Sequence, residues 1–545
     1  MKIACVSMFV IMFAKIKQQF LSIFFPITIF LSACAAQQQS VEILHINDSH
    51  SYLSGISQNG KPNYDNQSSK GGFARINNVI KNHQNSVVLD AGDRFQGSLY
   101  FSLFGSEPII KIDNASSFSA LTLGNHEFDK GCKFLNSYIN QLKTPVLVAN
   151  MRLNTRQNCP LTMDKIQAFL VKELHNGDKI GIIGISHDNP KISILSKDCD
   201  CIDFVDYKTA IITQINALKA QKINKIILLT HLGLDKDIDI AKNIADIDII
   251  VGGHSHSYLG DDANEKADGT YPIVITSPNN EPVLIVQAKF GTEYLGYLKA
   301  SFDNYGVITS FDGKAIKLTG NEYPQDETIN AILAPYNEKI SQNNQTIVGN
   351  NQISMNDGLK ECRQSECLSA LLLSLAFLEQ TKNFEVQIAF NNAGSSRAAL
   401  PVGEIKEMDL LSSFPFGNNI VIKELSGDKI KQALEQGVAN TNFNNLSALL
   451  QPANLKYTIN RNRSVFDRIS NIQIKTNGKW KNINRKAKYK VAMNNYIGNG
   501  KDGFEVLKNA KTIKVLQQTD IEALREYLKK HSPLNQIETN LIIFK

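Results

Sequence analysis

From about residue 41 to 318 the chain alternates short aliphatic runs with longer stretches of mixed polarity. The runs are "VEILHI", "SVVLDA", "FSALTL", "TPVLVA", "KIGIIGIS", "KIILLT" and "IDIIVG", followed by "YPIVITS" and "PVLIVQA". Short Val/Ile/Leu runs bounded by Gly, Asp and Asn read as buried strands of a helix-covered sheet. The expected unit is a layered α/β domain that binds ligands beyond its strand C-termini. The stretch 319–345 is polar with apolar residues at helical spacing, and predicts a connecting helix. Beyond it, 346–545 shows a second alternation: "LLLSLAFL" as helix, "FEVQIAF" and "NNIVIKEL" as strands, "SGDKIKQALEQGVA" as helix and "YKVAMNNYI" as strand. Thr519 or Asp520 can cap a last helix, "TDIEALREYLKK". This second half is expected to be a separate α/β domain.

Composition agrees with two folded domains. At 545 residues the chain exceeds one ordinary core, and 43% hydrophobic with 20% charged residues describes a globular protein. The net charge of +6 is mild, and no Lys/Arg block with interleaved aromatics appears, which argues against a nucleic-acid partner.

The N-terminus stands apart. Lys15 and Lys17 precede "FLSIFFPITIF", and "LSAC" ends at Cys34. A positive start, a short apolar run and small residues before a cleavage point describe a secretory signal over residues 1–34. "LSAC" resembles the bacterial lipobox, which implies lipidation at Cys34, export, and anchoring of the mature chain in the cell-envelope membrane by lipid. In the sorting pattern that the lipobox resemblance implies, Ala35 in place of aspartate favours the outer over the inner membrane, and the expected location is the cell envelope, periplasm-facing or outer membrane. Six later cysteines in an exported chain suggest disulfides. Cys362 and Cys367 are close enough in sequence to pair, while Cys132, Cys159, Cys199 and Cys201 can pair three ways.

Aligned at their C-terminal ends, the strands of the first half share a chemistry. "LHINDSH" ends in Asp48 and His50, "LDAGD" in Asp93, "LTLGNH" in Asn125 and His126, "LLTH" in His231, and "IIVGGHSH" in His254 and His256. Core histidines would be scattered, whereas five of the ten histidines follow aliphatic runs. Imidazole nitrogens and carboxylate oxygens without cysteine suit two divalent metal ions, zinc or manganese, rather than a structural zinc. One carboxylate must bridge such a pair, and Asp93, alone on its turn, is the candidate.

This set resembles the calcineurin-like metallophosphoesterases, with their D-x-H, GD, GNH, H and GH-x-H pattern. "ILHINDSH", "DAGDRFQGS", "GNHEFD" and "GGHSH" look like the 5′-nucleotidase and UDP-sugar hydrolase family, a likeness running from about residue 41 to 530. The resemblance implies a four-layered αββα catalytic domain over 35–318, a helix over 319–345 and an α/β substrate-binding domain over 346–545. It implies that Asp48, His50, Asp93 and His256 hold one metal, and Asp93, Asn125, His231 and His254 the other. His126 and Asp129 would form a dyad beside the reacting phosphate, with Glu127 facing solvent or serving the fold.

The same resemblance places the substrate pocket in the second half. "CRQSEC" supplies Arg363, "NNAGSSR" supplies Asn392 and Arg397, "FPFGN" supplies Phe416, and "NNYIGNGKDGF" supplies Tyr496 and Asp502. Arginine forks suit phosphate, and two aromatics can sandwich a base. The chain departs from the family where N-G-G-G-I-R reads "NNAGSSR", where Ala370-Leu371 replace Gly-Asn, where Ala453-Asn454-Leu455 replace S-G-L, and where "GGDG" reads "GKDG", setting Lys501 by the base pocket. The expected activity is release of phosphate from nucleoside monophosphates by a monomeric, lipid-anchored 5′-nucleotidase. The alternatives are a UDP-sugar or NAD pyrophosphatase, a 2′,3′-cyclic nucleotide phosphodiesterase, or a surface lipoprotein that binds nucleotide or host protein without turnover.

Overall fold

A computed structural model describes residues 39–57, 62–64, 70–154, 158–187, 199–320, 322–343, 346–355, 359–439, 443 and 445–545. The signal segment 1–34 and Cys34 lie outside these residues. Among the described residues, no helix is long and apolar enough to cross a membrane.

Two sheets face each other in the first half. One runs Ile308–Lys317, Tyr294–Phe302, Gln39–Ile46, Val87–Asp90, Ala120–Leu121, Val146–Leu147, Ile166–Gln167; the other runs Ile273–Thr276, Pro282–Val286, Ile249–Val251, Ile226–Thr230, Lys179–Ile185, Phe169–Glu173. Alternation along each strand sorts the side chains. Val41, Ile43, Val87 and Leu89 meet Ile182, Ile227, Leu229 and Val251 between the sheets. On the outer face, Leu44, Ile46 and Val88 pack under the helices Phe73–Asn82, Glu107–Ala115 and Cys132–Gln141. The helices Tyr207–Ala220 and Leu234–Asn243 cover the second sheet through Ile211, Leu218 and Ile240 against Ile183, Leu228 and Ile250. Helix, sheet, sheet and helix make the four layers expected.

Register decides where function can sit. Ile43 pairs in parallel with Val87, Leu89 with Ala120, Ile226 with Gly181 and Ile227 with Ile249. The strands that carry the polar termini therefore end on the same side within each sheet.

The helix Glu327–Asn343 follows this domain, inside the stretch where the sequence predicts one. Ile329, Leu333, Tyr336 and Ile340, at helical spacing, are buried in the first domain's core. The second domain is built on a five-stranded sheet, Leu450–Ala453, Ile388–Asn392, Lys488–Asn494, Asn419–Ser426, Lys511–Thr519. Helix Leu368–Gln380 is apolar nearly all round and is correspondingly buried, and Thr519 is the residue that caps Asp520–His531. A further sheet, Lys479–Asn482, Ile469–Thr476, Leu455–Ile459, Ile542–Phe544, was not legible as strands in the sequence. The short helix Glu407–Ser413 meets the first domain: its Met408 joins that domain's core, and Ser102 Oγ donates to the Pro415 carbonyl just beyond it at 3.3 Å.

All six cysteines beyond the signal segment pair. Cys362–Cys367 is the bridge the spacing suggests, and the three-way choice resolves as Cys132–Cys199 and Cys159–Cys201.

Candidate metal centre and substrate cleft

Five strand ends converge. Asp48 and His50 follow Gln39–Ile46, Asp93 follows Val87–Asp90, Asn125 and His126 follow Ala120–Leu121, His231 follows Ile226–Thr230, and His254 and His256 follow Ile249–Val251. Adjacent turns are laced together, Asp48 N donating to Gly92 O and His50 N to Asp93 O, both at 2.9 Å. The φ angles of Asp48, His50, Asp93, His254 and His256 are 49°, 45°, 56°, 76° and 58°. Left-handed backbone costs a non-glycine residue about 1–3 kcal/mol, and such strain persists only where the surroundings enforce it. Gly124 shows how tightly the turns meet, since a Cβ there would stand 2.1 Å from Asp93 Oδ1.

The side chains form three overlapping groups with donor atoms within 4.8 Å: Asp48, His50 and His256; His50, Asp93 and His126; Asp93, His231 and His254. His50 Nε2 faces His256 Nε2 at 3.1 Å, and His256 Nε2 lies 3.5 Å from Asp48 Oδ1. His231 Nε2 is 3.0 Å from Asp93 Oδ2, and His254 Nδ1 is 2.9 Å from Asn125 Oδ1. The outer nitrogens are spoken for. His50 Nδ1 lies 3.1 Å from the Phe95 carbonyl and His231 Nδ1 2.6 Å from the Ala91 carbonyl. Carbonyls only accept, so both Nδ1 atoms carry a proton, which leaves Nε2 of each ring as the atom that would face a cation. Burial holds His50 down to about 3, and His254 and His256 well below the ordinary imidazole range. His231 goes the other way: burial opposes its protonation, but Asp93 and Asp48 outweigh it and raise this imidazole to about 10, a proton that a cation held there would replace. Imidazoles beside buried carboxylates are a donor set for divalent cations. His50 and Asp93 are each common to two of the three groups, and Asp93 is the carboxylate of the pair.

His126 is different. Its Nδ1 donates to Asp129 Oδ2 at 2.7 Å, and its backbone N–H to Asp93 Oδ1 at 2.9 Å. Burial opposes protonation, but Asp129 and Asp93 outweigh it and raise this imidazole to about 9.

Across the cleft, Arg397 lies over the Phe416 ring, 5.3 Å from its centroid. Asp502 is held at both oxygens, by the Tyr496 hydroxyl at 2.9 Å and by Asn392 Nδ2 at 3.1 Å. Arg363 donates to Asn445 Oδ1 at 3.2 Å. Arg397 stands within electrostatic reach of His50, His126, Asp93 and Asp129, and Arg363 of His256. The sequence-derived residues of both halves thus gather around one cleft.

The chain matches the calcineurin-like phosphoesterase family over residues 41–258 and the 5′-nucleotidase C-terminal domain over 347–509. A 5′-nucleotidase-related protein of Glossina morsitans morsitans is 31% identical over 524 residues, covering 90% of this chain and 92% of its own. The chain belongs to the 5′-nucleotidase family. An apyrase of Aedes albopictus is similar to it, 30% identical over 525 residues, with 92% of this chain and 91% of the apyrase covered. The crystal structure of a 5′-nucleotidase precursor from Thermus thermophilus superposes with a TM-score of 0.83 at 28% identity, over 93% of this chain and 99% of that one.

Within this 5′-nucleotidase fold, three residues around the site were missed or left open by sequence reasoning. Glu127 does not face solvent: it is 1% exposed and its carboxylate accepts the backbone N–H groups of Gly124, Asp93, Arg94 and Phe95 at 2.7, 3.0, 2.7 and 3.2 Å. One buried carboxylate therefore joins two ligand turns. Arg94, buried over the Phe118 ring, pairs with Asp90 at 2.6 Å and with Asp113. The i,i+4 spacing of Asp90 and Arg94 was the one visible signal. His187 follows the run "KIGIIGIS" as the other histidines follow theirs, and its ring centroid lies 4.5 Å from that of His254.

Proposed function

We propose that this chain is an exported nucleotidase releasing phosphate from nucleoside 5′-monophosphates. The observation that carries the reading is Arg397, stacked on Phe416 and in electrostatic reach of His50, His126 and Asp93. An aromatic that can hold a base, a guanidinium that can hold a phosphate, and metal-type ligands stand in sequence across one cleft. In this reading residues 35–318 are catalytic, 346–545 bind substrate, and the mature chain is a monomer anchored at Cys34.

Asp48, His50, Asp93 and His256 would hold one cation, and Asp93, Asn125, His231 and His254 a second. Two divalent cations there, zinc or manganese, would offset phosphoryl charge and make an attacking water acidic. Arg363 and Arg397 bind the terminal phosphate through forked N–H groups. Phe416 and Tyr496 hold the base between them, and Asp502, fixed by Tyr496 and Asn392, accepts from sugar or base. His126, kept protonated and oriented by Asp129, balances charge on the leaving oxygen or donates to it.

Cleavage of a diphosphate bond is the second reading, favoured by Lys501. It is half-buried next to Asp502 and in reach of Asp129, and burial lowers it to about 8. The test is turnover by residues 35–545 after metal stripping and add-back, read as phosphate released from AMP and UMP and as nucleoside monophosphate released from UDP-glucose and NAD. Metal-dependent release from AMP or UMP, lost in His126→Ala, is expected. Activity on UDP-glucose or NAD alone would move the assignment to a pyrophosphatase, and silence on all four, with an aryl phosphate still cleaved, would end the nucleotide reading.

A further inference from the structure

His254 and His256 share one turn, yet the assignment above gives them to different cations. Both hold left-handed backbone, at φ 76° and 58°. Asp48 accepts the His254 N–H at 3.0 Å, and one side chain beyond the neighbouring strand spans the whole turn. Gln287 follows Pro282–Val286 and is fully buried. Its Nε2 donates to Gly253 O at 3.4 Å, while its Oε1 accepts from Ser257 N at 3.2 Å and from Ser255 Oγ at 3.1 Å. One amide therefore grips the peptide before His254 and the peptide after His256. Behind it lies Asp237, also buried, which accepts from Thr230 Oγ1 at 2.6 Å, the residue preceding His231. The two side chains converge on Gly252, where a Cβ would stand 2.1 Å from Asp237 Oδ2 and 3.0 Å from Gln287 Nε2.

We infer that Gln287 is a positioning residue that sets the spacing of His254 and His256 and so couples the two ligand groups, with Asp237 extending the network to His231. The inference rests on the proposed ligand assignment. Losing a single unshared ligand weakens one group; losing Gln287 weakens both in step. Partners one layer behind the ligands typically change metal affinity about 10–100-fold.

The experiment titrates metal-free full-length protein with manganese(II), following free ion by its EPR signal. Wild type is expected to bind two ions. Gln287→Ala is expected to weaken both steps about 10–100-fold, with Gln287→Glu between, since it keeps the acceptor and loses the donor to Gly253. Turnover of an aryl phosphate should recover as manganese is raised, with the substrate KM unmoved. Unchanged binding, weakening of one step alone, or activity that added metal does not restore would overturn the inference. Should Gln287→Ala fail to fold, Gln287→Glu and Asp237→Asn carry the same comparison. Two bound ions in a wild type that cleaves aryl phosphate and no nucleotide would sink the proposed substrate while leaving Gln287 testable; fewer than two would remove the coupling itself.

Discussion

The metal-facing wall of the cleft and the opposite wall are built on different principles. On the first, Asp48, His50, Asp93 and His231 are buried on tight turns, and the backbone fixes them: Asp48, His50 and Asp93 sit at positive φ on segments laced to one another. Short side chains on enforced backbone leave few alternative positions. On the second wall, Arg363, Arg397, Phe416, Tyr496 and Asp502 are half-buried and fixed by side-chain contacts, Arg397 on Phe416, Tyr496 with Asp502 and Arg363 with Asn445. The departures read in the sequence, "NNAGSSR" and "GKDG", fall on this second wall and leave Asn392, Arg397 and Asp502 in place.

Substitutions on the two walls should separate cleanly. The largest effect is expected from Asp93→Ala, shared by two ligand groups. Loss of several kcal/mol of charge stabilisation corresponds to about a 10³-fold or greater fall in kcat, with chelation reproducing it reversibly. Retained activity in a metal-stripped sample would break the comparison at its root. Next comes His126→Ala, expected to lower kcat about 10²–10⁴-fold with metal content unchanged. A matching loss of bound metal would instead make His126 part of the ligand wall. Phe416→Ala follows: removing a base-stacking aromatic costs about 1–3 kcal/mol, read as a raised KM for nucleotide relative to an aryl phosphate. Equal losses on both substrates would deny Phe416 a role in base recognition. The smallest change is Tyr496→Phe, which keeps the ring and removes the hydroxyl that donates to Asp502. A hydrogen bond that orients Asp502 without touching substrate is expected to cost about 0.5–1.5 kcal/mol, a roughly 2- to 10-fold drop in kcat/KM, and a larger drop would mean that the hydroxyl touches substrate directly.

The two walls also differ in how much of them sequence reveals. Asp48, Asp93, Asn125, His231 and His254 each sit at the end of an aliphatic run, so pattern and chemistry coincide locally. The second wall is legible only through family resemblance, because Arg363, Asn392 and Tyr496 come from unrelated contexts. What holds the ligands is less visible still. Glu127 looks like any polar loop residue until the backbone N–H groups of another turn surround it. Arg94 needs Asp113 from a distant helix to become a buried partner. The bridges Cys132–Cys199 and Cys159–Cys201 depend on which loops meet in space, which no spacing rule supplies.

Met408 belongs by sequence to the second domain and by packing to the core of the first. Drawing it out to widen the cleft would expose a side chain worth about 1.5–3 kcal/mol of burial. At about 1.4 kcal/mol per tenfold, that contact alone favours the shut arrangement by roughly 10- to 150-fold. Were the proposed nucleotidase to release its product by such a widening, the residence time of a spent nucleoside would be set in part by how one methionine packs.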